Sequence, residues 1–171
     1  MSADEERGQP SGEDWQAAAQ AGAERLHLAG TDASLHAVLP AALLQQIIDA
    51  ARDDVPHETV GLLVARAYAA AGGVPERYVR MRNAAESPYR YLMDPDEQLQ
   101  VILAIDDADE VVWGIVHSHV ASAAVPSTTD VGLAFYPDSL YLVCSLAGEM
   151  PEVRAWTIRD GEVTEAPLAV G

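Results

Sequence analysis

Val111-Val112-Trp113-Gly114-Ile115-Val116-His117-Ser118-His119 is the stretch on which the reading of this chain turns. Its first six residues carry no charge and read as a strand buried on both faces, because such strands are near-continuous hydrophobic runs. The strand reaches His117. Side chains alternate across a strand, so His117 and His119 point to one face and Ser118 to the other. Seven residues later comes Ser127-Thr128-Thr129-Asp130, a capping-box pattern with Asp in the usual Glu/Gln position, which starts a helix. Asp130 then lies in the first turn of that helix, and the intervening loop can fold this turn back toward the strand end. Two imidazoles and a carboxylate make a three-ligand set with an open fourth position, the catalytic rather than the structural zinc pattern.

A hydrolytic site of this kind needs a proton acceptor outside the ligand set, and Glu58 is the candidate. It stands at the mouth of Val60 to Ala65, an otherwise apolar strand, which is an odd place for a solvated acid. Ser127 is placed to donate a hydrogen bond to the oxyanion of a tetrahedral intermediate, although its plainer role is helix N-cap.

Outward from this segment the chain alternates between strand and helix patterns. Leu35 to Leu39 predicts a strand, followed by a helix in which Pro40 occupies the first turn. Leu43, Leu44, Ile47, Ile48 and Ala51 form one apolar stripe along it. Glu58 to Arg66 and Arg77 to Asn83 predict strands on either side of a turn at Ala71-Gly72-Gly73. Tyr89 to Leu92 reads as extended. Asp94-Pro95 reads as N-cap and first-turn proline of a second helix, with Leu99, Ile102, Leu103 and Ile105 as its apolar face. Leu140 to Ser145, Val153 to Ile158 and Val163 to Ala166 complete the strands, the last two joined at Asp160-Gly161. The expected fold class is α/β, a mixed central sheet flanked by about three helices.

The order Glu58 before Gly-Leu-Leu, then His-Ser-His, seven residues and Ser-x-x-Asp, resembles the signature of the JAMM (MPN-domain) metalloproteases. The resemblance runs from Leu35 to Leu168. It implies a cytidine-deaminase-like fold and zinc-dependent hydrolysis of peptide or isopeptide bonds. Carried over, His117, His119 and Asp130 bind Zn2+, Glu58 acts as general acid/base, and Ser127 stabilises the oxyanion. Many members have proline after the second histidine, where this chain has Val120.

Asn83-Ala84-Ala85-Glu86-Ser87-Pro88, Asp94 to Leu99, Asp106 to Glu110 and Asp160 to Glu165 resemble the small stand-alone bacterial members. Among these the chain is most similar to the actinobacterial enzymes that release cysteine from an adduct on a sulfur carrier. The partner so implied is a ubiquitin-like sulfur-carrier protein ending in Gly-Gly. Two rival readings stand beside it: a general isopeptidase acting on protein conjugates, and a non-catalytic scaffold on the same fold.

Composition bounds the rest. The chain has 171 residues and a formal net charge of -17; its ten basic residues are all arginine. So acidic a surface argues against nucleic acid and anionic membranes as partners. A lone cysteine, Cys144, excludes an intramolecular disulfide and reads as a small core residue. No uncharged apolar run reaches the roughly 18 residues that span a bilayer, and no secretory signal opens the chain, so the expected location is cytoplasmic. Residues 1–33 read as an acidic, flexible extension preceding a domain at 34–171, with a short helix through Trp15 to Leu26. The alternative is a docking arm for a partner or for a second subunit in a homodimer, with Trp15 and Leu26 as anchors. His27, His36 and His57 read as surface histidines, and Trp113 and Tyr141 as core.

Overall fold

The computed structural model describes residues 28–171; the helix expected over Trp15 to Leu26, and His27, lie outside them. In chain order the elements are β1 (Leu28–Thr31), β2 (Ala37–Leu39), α1 (Ala41–Asp53), β3 (Val60–Ala65), β4 (Arg77–Met81), α2 (Pro95–Asp107), β5 (Val111–His119), α3 (Thr128–Gly132), β6 (Leu140–Ser145), β7 (Glu152–Arg159), β8 (Glu162–Ala166) and β9 (Leu168–Val170). Among the described residues, seven strands form one mixed sheet in the order β1-β8-β7-β6-β5-β3-β4, and β2 pairs with β9 in a separate two-stranded ribbon. The expected α/β class with a mixed sheet and helices on it is what forms. Strand β1 lies inside the stretch read as an extension, so the sheet begins at Leu28. The Leu35–Leu39 strand is shorter than expected and belongs to the ribbon rather than the main sheet.

Strand β5 sits inside the sheet, antiparallel to β3 and parallel to β6. Gly114 sits at its centre, where an added Cβ would lie 2.8 Å from Leu142 Cδ1 and press that side chain aside in the core. Leu63 pairs with Gly114 and Val64 with Val112, so Trp113 is an extra residue in a bulge. That bulge re-aims everything after it. Trp113 and Val116, three residues apart, both face the core against α1, while Val112 and Ile115 face the other core. Unbroken alternation from Trp113 would have turned His117 and His119 toward α1. The bulge instead sends them to the face shared by Val60, Met81, Tyr91 and Val143.

Helix α1 buries Leu43, Ile47, Ala50 and Ala51, with Leu44 and Ile48 beside them, as its stripe predicts. Helix α2 is capped as expected: the Asp94 carboxylate accepts from the N–H groups of Asp96 and Glu97, and Pro95 follows. Its apolar face differs from expectation. Ile105 is buried and Val101 and Ile102 are partly so, but Leu99 and Leu103 are 59% and 55% exposed. Gln98, Val101, Ile102 and Ile105 share the inward side by helical spacing, which turns Leu99 and Leu103 outward. At the β7–β8 turn, Asp160 and Gly161 both take positive φ (50° and 79°), the geometry of a two-residue hairpin turn. Tyr89 to Leu92 forms no strand; the extended pairing there reduces to one bridge, Asn83 with Met93. Cys144, Trp113 and Tyr141 are buried core residues, and His36 and His57 are exposed. Among the described residues no helix is long and apolar enough to cross a membrane.

Candidate metal centre

The end of β5 and the first turn of α3 bring His117, His119 and Asp130 together, all three buried. His117 Nε2 lies 3.2 Å from His119 Nε2. Asp130 Oδ2 is 3.1 Å from the first of these nitrogens and 3.3 Å from the second. Ligands about 2.0–2.2 Å from a tetrahedral ion stand roughly 3.3 Å from one another, so these atoms mark three corners of such a shell.

Hydrogen bonding makes the same point. His119 Nδ1 contacts the Ala123 carbonyl at 2.8 Å, and a carbonyl only accepts, so Nδ1 carries the proton. That leaves Nε2 as the nitrogen available to a cation, facing the Asp130 carboxylate with His117 Nε2 beside both. Three electron-rich atoms converging in a buried pocket call for a cation between them. The set fits Zn2+.

Asp130 is held by the helix start itself. Ser127 Oγ accepts the Asp130 N–H (3.2 Å), and Asp130 Oδ2 accepts the Ser127 N–H (2.6 Å), closing the capping box. The Ser127 oxygen is thereby used as cap, and its hydroxyl proton remains to donate elsewhere. Burial alone would raise the Asp130 pKa, but the imidazoles of His117 and His119 outweigh it and hold the carboxyl well below the usual carboxylate range.

Glu58 stands outside this set. Val60 pairs with His117, so two residues further along the antiparallel ladder Glu58 falls level with His119 and on its face. It is buried, and Oε2 has no hydrogen-bond partner among the described residues. Burial pushes its carboxyl up from 4.5 to about 8, opposed by His119 and reinforced by the Asp130 charge. A buried carboxyl with an open oxygen beside a ligand set has the environment of a general acid/base.

Four residues that the sequence reading passed over build the surroundings. Ser118, on the far face of β5, accepts the Thr59 N–H at Oγ (2.7 Å) and donates its own N–H to the Thr59 carbonyl (3.1 Å), fixing the residue after Glu58. Asn83 spends its whole amide: it donates to the carbonyls of Glu58 (3.0 Å) and Arg90 (3.2 Å), and accepts from the N–H groups of Ala85 and Leu92, both at 3.0 Å. Tyr91 lies against the His117 ring, centroids 4.7 Å apart, where His117 Nδ1 has no hydrogen-bond partner among the described residues. Trp156 Nε1 donates to the Ala124 carbonyl (3.0 Å), pinning the Val120–Val125 loop beside the carbonyl that orients His119. Asn83 falls in a quoted motif, but nothing local to it signals a bond to a residue 25 positions earlier.

The Asn83 network has a measurable consequence. Asn83→Ala is expected to cost roughly 2 kcal/mol of stability and to reduce turnover while zinc content stays unchanged. Asn83→Asp is expected to be worse, because a carboxylate oxygen would face two carbonyls. Urea unfolding with metal analysis checks both; equal stability for Ala and wild type would contradict the assignment.

The family model for prokaryotic homologs of the JAB domain matches residues 40–159. The chain is similar to the CysO-cysteine peptidase of Mycobacterium tuberculosis, 43% identical over 134 residues, which cover 78% of this chain and 90% of that protein. It is also similar to a desampylase of Haloferax volcanii, 35% identical over 133 residues, covering 75% of this chain and 89% of the relative. A solution structure of a Desulfitobacterium hafniense protein superposes with a TM-score of 0.69 at 31% identity, covering 78% of this chain and 92% of that one. With that family match over most of the chain, the ligand geometry and the shared fold, the protein belongs to the JAB-domain (JAMM/MPN) family, among its prokaryotic homologs.

Proposed function

We propose that the chain is a zinc peptidase that cleaves the peptide bond after the Gly-Gly tail of a ubiquitin-like sulfur carrier, releasing cysteine. The observation that carries the hydrolytic reading is the convergence of His117 Nε2, His119 Nε2 and Asp130 Oδ2 within 3.3 Å of one another, with Glu58 buried beside them. The substrate reading is supported by the likeness to the CysO-cysteine peptidases.

His117, His119 and Asp130 would hold the zinc, which would supply polarisation of a carbonyl and a lowered pKa, toward about 7, for a water. Glu58 accepts the proton of the attacking water and returns it to the leaving amine. Ser127 donates its hydroxyl hydrogen to the oxyanion. His119 keeps its orientation through Ala123, and Glu58 through Asn83, Ser87 and the Ser118 clamp on Thr59.

The likeness to the desampylases supports a second reading, an isopeptidase acting on protein conjugates. The two separate by rate. Zinc-loaded protein is expected to cleave a carrier–cysteine adduct at least ten-fold faster than a lysine-linked conjugate of the same carrier. Faster cleavage of the conjugate would establish the second reading.

A further inference from the structure

Of the three ligands, His119 takes its aim from the Val120–Val125 loop. Its Nδ1–H meets the Ala123 carbonyl at 2.8 Å, and the Val125 N–H donates to the same oxygen at 2.8 Å. A carbonyl oxygen has two lone pairs, so both are used. The loop itself offers little to hold that oxygen in place. It reads Val-Ala-Ser-Ala-Ala-Val, with no glycine, proline or long side chain, and Ala121, Ser122 and Ala123 are exposed.

The hold comes from beneath. Ser145 ends β6 level with His119 and on the same face. Its hydroxyl donates to the Ser122 carbonyl at 2.6 Å and accepts the Ala147 N–H at 3.2 Å. Trp156 on β7 donates Nε1–H to the Ala124 carbonyl at 3.0 Å. The Trp156 ring lies under the Arg154 guanidinium, 4.8 Å away, and Arg154 forms a two-pronged pair with Glu165 at 2.8 and 2.7 Å. His119, Ser145 and Trp156 are all buried. Three consecutive carbonyls thus turn inward onto side chains from three neighbouring strands, β5, β6 and β7.

Peptide units are planar, so the unit carrying the Ala123 carbonyl can turn only about the Cα atoms of Ala123 and Ala124. The units on either side of it are the ones that Ser145 and Trp156 hold. A metal-bound histidine is oriented by the acceptor of its other ring nitrogen. Anchoring both neighbours of the Ala123 unit fixes that acceptor.

We propose that Ser145 is a positioning residue for the metal centre. Through the Ser122 carbonyl it fixes the Ala123 carbonyl, which sets the direction of the His119 ring, and so it sets zinc affinity. The Val120–Val125 loop is then a fixed wall of the site rather than a gate. The proposal rests on the zinc reading above and goes beyond it by giving part of the affinity to a residue outside the ligand set.

The test uses the full chain. Ser145→Ala is expected to weaken zinc binding by about ten-fold, the lower end of the loss for a partner behind a ligand, in competition with a chromophoric chelator. The visible absorption of the cobalt-substituted protein is expected to shift with it. Ser145→Thr keeps the hydroxyl and suits a strand, so both readouts are expected to stay near wild type. Ile47→Val loosens the opposite core and is expected to lower the urea midpoint of the metal-free protein with zinc affinity unchanged. Trp156→Phe keeps a ring but removes the N–H; it is expected to weaken zinc in the same direction, and it carries the test if Ser145→Ala does not fold. Unchanged affinity in Ser145→Ala, an equal loss in Ser145→Thr, or a loss of the same size in Ile47→Val would overturn the proposal alone. A wild-type chain that binds no zinc would overturn the metal reading and the proposal together.

Discussion

Glu58→Gln is expected to lower turnover by about 10²–10⁴-fold, the usual contribution of a general acid/base, while zinc content stays unchanged. Glutamine keeps the shape and the backbone contacts to Asn83 and Ser87 but neither accepts nor returns a proton. The substitution has a second signature in the metal-free protein. Below pH about 4.5 the Glu58 carboxyl is protonated in folded and unfolded chains alike; between 4.5 and about 8 only the folded chain keeps the proton. Its contribution to stability is thus full below the lower value and is lost as pH rises through the upper one. Metal-free wild type should therefore lose stability relative to metal-free Glu58→Gln between pH 5 and 8. Urea midpoints measure it; parallel curves would place Glu58 in a solvated environment and remove the basis for its role.

Asp130→Asn is expected to weaken zinc binding by at least about 100-fold, more than the loss of an outer-shell partner costs, and to abolish turnover at ordinary metal concentrations. The amide oxygen still accepts the Ser127 N–H, so the α3 cap survives in part and the protein stays folded. Asp130→Ala removes the ligand and the carboxylate half of the capping box together, adding about 1 kcal/mol of destabilisation, while the Ser127 Oγ cap on the residue-130 N–H remains. Competition with a chromophoric chelator reads the metal loss, and thermal unfolding reads the cap. A non-catalytic scaffold would tolerate both substitutions and would purify without stoichiometric zinc. Retained tight zinc binding in Asp130→Asn would remove Asp130 from the ligand set.

What was legible in the chain was local. His117 and His119 share a face because strands alternate, and Ser127-x-x-Asp130 announces a capped helix start. Asp94-Pro95 and the β7–β8 turn were readable in the same way. What escaped the reading depends on partners far along the chain. The Trp113 bulge, which decides the face on which both histidines emerge, arises only from pairing with β3. Asn83 reaches Glu58, Trp156 reaches Ala124 and Ser118 reaches Thr59 across 25 to 59 residues, so no spacing rule exposes them. Leu99 and Leu103 show the converse error. The apolar residues of the helix predict one inward face, whereas Ile102 and Ile105 cover the sheet and the two leucines face out. Strand β1 was hidden for a related reason: Leu28–Thr31 is too short to show a pattern and gains its pairing from β8 at the end of the chain.

The central claim is that zinc, held by His117, His119 and Asp130, works with Glu58 to release cysteine from a carrier. Intact-mass spectrometry of a Gly-Gly-ended sulfur carrier bearing a C-terminal cysteine, incubated with the zinc-loaded protein, tests it most directly. The account predicts a loss of one cysteine from the carrier, blocked by a chelator and absent with Glu58→Gln. An unchanged mass with zinc bound, or the same loss in Glu58→Gln, would contradict it.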